Sequence, residues 1–249
     1  MNSWGNSHNK QFKWILNAWQ FYYALSKVFY GAMQRLSQCV VHHLIGRYSA
    51  EGNMKIELAE NWVKSYESLL NGLELEPEHK KVVPLALLQL ALEHNAAIIK
   101  LISLGYHGSA LALLRPQRDA FLRGIWMYRC ASEDQLLKFM KGKEPPGIKV
   151  QLAQVEQTEG YRHGHLSQRM SEIKEFLHDF THGGLYQSAS RDKGHRIAGG
   201  HSEEQIQWLV KQSLMLSFLT TLEVCHIFND APRAHELTSI FNKLMEVHS

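Results

Sequence analysis

Cysteine is scarce in this sequence: the 249 residues hold three, Cys39, Cys130 and Cys225. An odd number so far apart, each in an apolar stretch, excludes a disulfide framework and a cysteine zinc cluster. It fits buried thiols in a reducing compartment. Proline (6) and glycine (17) are also few, while apolar residues make up 45%, which excludes a disordered or low-complexity chain. Charge of one sign is lacking too. The 27 Lys and Arg against 24 Asp and Glu leave +3, short of the basic excess of a nucleic-acid coat. No segment reaches the roughly 18 uninterrupted apolar residues of a membrane span. The nearest, Trp14–Ser26, is half aromatic and polar and is closed by Lys27. No signal-peptide pattern opens the chain. A cytoplasmic protein without membrane association is expected.

Several chemistries lack their motifs. There is no phosphate-cradling Gly-x-x-x-x-Gly-Lys loop, no Gly-x-Ser-x-Gly elbow, no Cys-x-x-Cys pair and no dinucleotide fingerprint. Alternating strand patterns and internal repeats are missing as well. Without a sheet edge, the usual seat of a nucleotide cofactor is absent, and no cofactor is expected.

What is present is a helical apolar period along nearly the whole chain. It predicts an all-α helical bundle with an additional aromatic-rich N-terminal helix. That first helix, over 11–45, carries Phe12, Trp14, Trp19, Phe21, Tyr22, Tyr23, Phe29 and Tyr30. A polar break over 48–53 follows. Residues 1–53 therefore read as an N-terminal extension: an accessory helix, a miscalled start or a partner-binding arm. The bundle domain covers 54–249. Within it the pattern predicts helices at about 55–70, 78–104, 109–131 with a kink at Pro116, 132–140, 148–158, 166–182, 202–228 and 232–248. Glycine-containing loops over 142–147, 160–165 and 185–201 separate them.

The helix over 109–131 places Arg115, Arg118, Asp119 and Arg129 on one face with Leu111, Leu122 and Trp126. Asp119 stands one turn from both Arg115 and Arg123, so an intrahelical ladder is available. Two readings are open. The arginines buttress the bundle, or Arg115 and Arg118 present forked donors to a phosphate or carboxylate, with Asp119 and Arg123 beside it.

Histidine is unusually abundant, with fifteen residues. His178 and His182 lie one helical turn apart and project to one side, with Ile173, Phe176, Leu177 and Phe180 on the other. The spacing can ligate a metal. The order is His-Asp-Phe-Thr-His, however, without the glutamate of a metalloprotease helix, and no tightly bound metal is expected. A proton-transfer or substrate role for one histidine, or a structural pair, are the alternatives. His163 and His165 in the 160–165 loop and Arg191 in the basic 190–196 loop are further contact candidates.

The stretch Gly108–Arg115, where glycine, serine and alanine precede an arginine, and the His178–Gly184 segment ahead of a loop and a long apolar helix give the chain a resemblance. It is similar to uncharacterised bacterial helical families related to the HEPN superfamily of RNases and abortive-infection proteins. The resemblance implies a homodimer in bacterial stress or phage defence, of the toxin–antitoxin kind, with metal-independent cleavage of RNA. Active members carry an arginine a few residues ahead of a histidine. Arg169 stands too far from His178 for that spacing and Arg191 too near His195, so Arg115 or Arg118 would have to meet His178 or His182 in space. The alternative class is a non-catalytic helical module that binds a small anion or a cognate protein.

Overall fold

Helix signals and helices coincide along most of the chain. The computed structural model describes residues 50–75, 78–161, 166–167, 170, 180–181, 184, 188–189, 191–192 and 199–246. They form α1 (Ala50–Leu70), α2 (His79–Ser103), α3 (His107–Arg129), α4 (Glu133–Met140), α5 (Ile148–Val155), α6 (Glu203–Phe228) and α7 (Ala231–Glu246). No strand is found among the described residues, and the protein is an all-α bundle. The aromatic helix expected over 11–45 lies outside the described residues.

Local chemistry sets the ends. α1 stops at Asn71, whose N–H reaches the Glu67 carbonyl, and at Gly72, which holds φ +78°. α4 and α6 each open on a capping box. Ser132 and Ser202 accept from the N–H of Gln135 and Gln205, and each glutamine side chain accepts from the serine N–H. α6 ends on Asn229 in the left-handed region, φ 54°. The start of α1 moves to Ala50, inside the stretch expected to be a polar break. α3 continues as α-helix through Pro116.

The α2–α3 hairpin is the centre of the bundle. α6 packs against both, α1 and α7 pack on α6, α5 lies on α3, and α4 touches α2. Gly124 lets α2 and α3 approach closely, since a methyl there would sit 2.8 Å from both Cγ and Cδ2 of Leu88. Trp62, Leu88, Ile98, Leu114, Phe121, Ile125 and Trp126 are fully buried around this contact. Trp62 meets Tyr66, Phe218 and Phe241 edge-on, and Phe218 stacks on Phe241 at 4.2 Å. α2 is also long and apolar enough to cross a membrane, a property expected of no segment. In this fold it is the central helix, and it buries a polar residue. Asn95 accepts from the Tyr66 hydroxyl (3.1 Å) and donates to Ser213 Oγ (2.8 Å), which donates to Gln117 (2.7 Å). Four helices share this chain of bonds, and loss of one member would leave buried partners unmatched at about 1–3 kcal/mol each.

α3 and α6 run parallel and in step. His107 meets His201 at one end, Gln117 meets Ser213 in the middle, and Arg129 meets Glu223 at the other. Both N-termini therefore emerge at the same end of the bundle.

Candidate functional site

That shared end carries a cavity of about 150 Å³, lined by Gly105, Tyr106, His107, Gly108, Ser109, Arg191, Gly199 and His201. Its floor follows from how α2 stops. Gly105 takes φ +79°, its N–H reaches the Ile102 carbonyl (2.9 Å), and the Tyr106 N–H reaches Leu101 (2.8 Å). This pair of bonds is a Schellman closure. Tyr106 is at once the last residue of that closure and the N-cap of α3, whose first bond runs from Ala110 N–H to the Tyr106 carbonyl (3.0 Å). Tyr106 gives the helix no side-chain cap, so the positive end of α3 faces the cavity.

Gly108 is where the site is tightest. A methyl there would lie 2.6 Å from Arg191 Nη2, 3.5 Å from its Cζ and 3.4 Å from His201 Nε2. The guanidinium thus lies against the first turn of α3, an approach that only glycine leaves open. Arg191 is carried by a short turn in which its N–H reaches the Ser188 carbonyl (3.1 Å). His201 stands immediately before the α6 cap. Its ring meets His107 at 6.4 Å between centroids and the buried Phe180 at 5.9 Å. Burial holds His107 below the usual imidazole range, against the opposing charge of Glu203. One guanidinium, two imidazoles and a helix N-terminus line this space.

The arginines of α3 serve differently. Arg118 is buried, and both its Nε (2.9 Å) and its Nη2 (2.6 Å) donate to one oxygen of Asp119. Arg115 Nε lies 3.8 Å from the other carboxylate oxygen. The expected ladder from Asp119 to Arg123 does not form, because Arg123 extends to Glu144 between α4 and α5 (3.7 Å). Arg129 makes a two-pronged pair with the buried Glu223 (2.9 and 2.7 Å) and also donates to the Glu159 carbonyl. Tyr161 donates to the same carboxylate (2.9 Å) while its ring lies under the guanidinium. Burial and Glu223 hold the Tyr161 phenol far above its ordinary range. Burial works against the charge of Arg129, but the bond to Glu223 outweighs it and raises the guanidinium further. This cluster ties the 159–161 turn to α3 and α6.

Of the residues nominated from sequence, Arg191 lies in the cavity, and Arg115, Arg118, Asp119 and Arg123 lie along α3 away from its lining. His163, His165, His178 and His182 lie outside the described residues. Among the described residues no group of three or more His, Cys, Asp or Glu is placed to hold a metal ion. His107, Gly108 and His201 were not foreseen as site residues. The one local signal was Gly105 and Gly108 flanking a Tyr-His pair at a helix junction.

A family of unknown function, DUF6988, matches residues 88–247, more than half of the chain. The chain belongs to this family. The part shared with DUF6988 includes every residue lining the cavity and the whole Arg129–Glu223–Tyr161 cluster. No curated protein and no solved structure matches the chain.

Proposed function

We propose that the protein binds a phosphate-bearing anion in the mouth at the N-termini of α3 and α6, and that it acts on RNA without a metal, as a HEPN-like effector would. The observation that carries the reading is the Arg191 guanidinium laid on Gly108 beside His201. A planar fork, two imidazoles and a helix N-terminus are the groups that bind a phosphate oxygen and stabilise charge developing on it. The anion-holding role foreseen for Arg115 and Arg118 passes to Arg191, which lines the cavity while they do not.

The chemistry follows from the same groups. Lowered by burial, His107 is largely neutral near pH 7 and suited to take the proton of a ribose 2′-hydroxyl. The 2′-oxygen attacks the adjacent phosphorus, a 2′,3′-cyclic phosphate forms, and the 5′-oxygen leaves with a proton. His201, across the cavity, is the donor in this scheme. His178 and His182 are the further candidates for proton transfer. The HEPN likeness adds a homodimer, a cytoplasmic setting and a place in bacterial stress or phage defence to the proposal.

A second reading, a non-catalytic anion-binding module, is favoured by the commitment of Arg118 and Arg129 to structural pairs. End-labelled RNA incubated with the protein in chelator from pH 5 to 8 separates the two. Cleavage that is lost in His107→Ala or His201→Ala supports the enzyme, and loss only in His182→Ala moves the proton transfer to that residue. Binding without cleavage, abolished by Arg191→Gln, leaves the module. Neither binding nor cleavage overturns both.

A further inference from the structure

We infer that the mouth is built to take a nucleotide with an unstacked base, and that Tyr106 is the surface on which the base lies. The inference rests on the phosphate reading above and assigns the substrate class to the same site. Tyr106 is 61% exposed, the most exposed of the large hydrophobic residues described, yet its backbone is among the most constrained in the fold. Its N–H closes α2 on Leu101, and its carbonyl accepts the first bond of α3. The main chain that carries the ring is therefore anchored at the rim by two helices rather than by a free loop. It lines the same cavity as Arg191 and His201.

Size makes the division of labour. Pockets that enclose a drug-sized ligand run to about 300–1,000 Å³, and this one measures about 150 Å³. It has room for a phosphate group but not for a whole nucleotide, so the base would lie outside. A base leaving the mouth on the Tyr106 side meets an exposed aromatic face, and stacking on such a ring is how proteins hold single-stranded or splayed-out bases. A bare anion would make no use of that ring.

Calorimetry with inorganic phosphate, ribose 5-phosphate and adenosine 5′-monophosphate tests the inference on the full chain. The nucleotide is expected to bind about tenfold more tightly than ribose 5-phosphate, within the range for one base on one ring. Tyr106→Ala should remove that advantage, so that in this variant the nucleotide binds no more tightly than ribose 5-phosphate, while Tyr106→Trp should preserve it. Equal binding of the nucleotide and the sugar phosphate, or a Tyr106→Ala protein that keeps the advantage, overturns the stacking role and leaves the phosphate site standing. If none of the three binds, or if Arg191→Gln weakens none of them, the phosphate site itself falls and this inference with it.

Discussion

Gly108 and Gly124 sit on the same face-forming helix, and replacing each by alanine should have opposite consequences. In a helix interior alanine is favoured over glycine by about 0.8–1 kcal/mol, so the Gly124 substitution begins with that gain and the Gly108 one, in the first turn, with a smaller one. At Gly124 the new methyl meets Leu88 Cγ and Cδ2 at 2.8 Å and the Pro84 carbonyl at 3.3 Å. Leu88 is fully buried, so the α2–α3 contact must open. Overpacking of this kind costs about 1–3 kcal/mol, so after the helix gain the net loss expected is up to about 2 kcal/mol, or up to roughly 8 °C in melting temperature for a domain of this size. At Gly108 the methyl meets the far end of Arg191, 2.6 Å from Nη2. That side chain can swing away, so the fold should keep its melting temperature or gain a degree or two. What is lost is the anion contact. A charge-assisted hydrogen bond is worth about 1.5–3 kcal/mol, so affinity for inorganic phosphate should fall roughly 10- to 150-fold. Thermal melts followed by circular dichroism, with calorimetric titration of phosphate, read both effects. A Gly108→Ala protein that melts as low as Gly124→Ala, or that binds phosphate like the wild type, refutes the reasoning.

Three more outcomes follow from the described contacts. Burial places His94 and His107 below the usual imidazole range, so the unfolded chain takes up protons first as pH falls through about 6.5. Stability should therefore drop from pH 7.5 to 5.5, and drop less in His107→Gln; identical profiles would refute this. Arg129→Met leaves Glu223 buried without its cation and should cost about 3–5 kcal/mol, most of it recovered in the double variant with Glu223→Leu. Additive losses in that double-mutant cycle would show that the pair is not coupled. Burial, with the Asp230 charge adding to it, pushes the Cys225 thiol up to about 11, so roughly 0.1% is thiolate at pH 8. Native protein should resist iodoacetamide at Cys225, and labelling at the rate of a free thiol would contradict the assignment.

The helices were legible because their ends carry local chemistry. The Ser132 and Ser202 capping boxes and the Asn71-Gly72 stop are short-range signals, and each falls where expected. Boundaries slipped where the signal was shared between elements. α3 was expected from 109, yet that helix starts at His107, because the Schellman closure at Gly105 runs straight into it. α5 was expected to run to 158, but after Val155 the N–H groups of Gln157 and Thr158 bond three residues back and tighten the end into turns. Ion pairs were less legible. The spacing rule gave Asp119 to Arg115 and Arg123; the Arg115 pair forms at 3.8 Å, but Arg118 joins it and Glu144 takes Arg123, and no spacing rule could join Arg129 to a glutamate inside the long apolar helix α6.

The parallel pairing of α3 and α6 explains why two kinds of arginine look alike in sequence. At their C-terminal ends the helices need a cation, and Arg129 arrives there with its own acid, Glu223, from the facing helix. The charge is consumed in holding the bundle. At the N-terminal ends both dipoles are positive and favour an anion. Arg191 and two histidines line the cavity at that end, and position 108 is a glycine that lets the guanidinium lie against the first turn. Glu203 and Glu204 offset part of this charge from the first turn of α6, but neither lines the cavity. A guanidinium and two imidazoles set at the positive end of two helices make a setting suited to a phosphate, and that is why the mouth rather than the arginine-rich middle of α3 is where ligand binding should be sought.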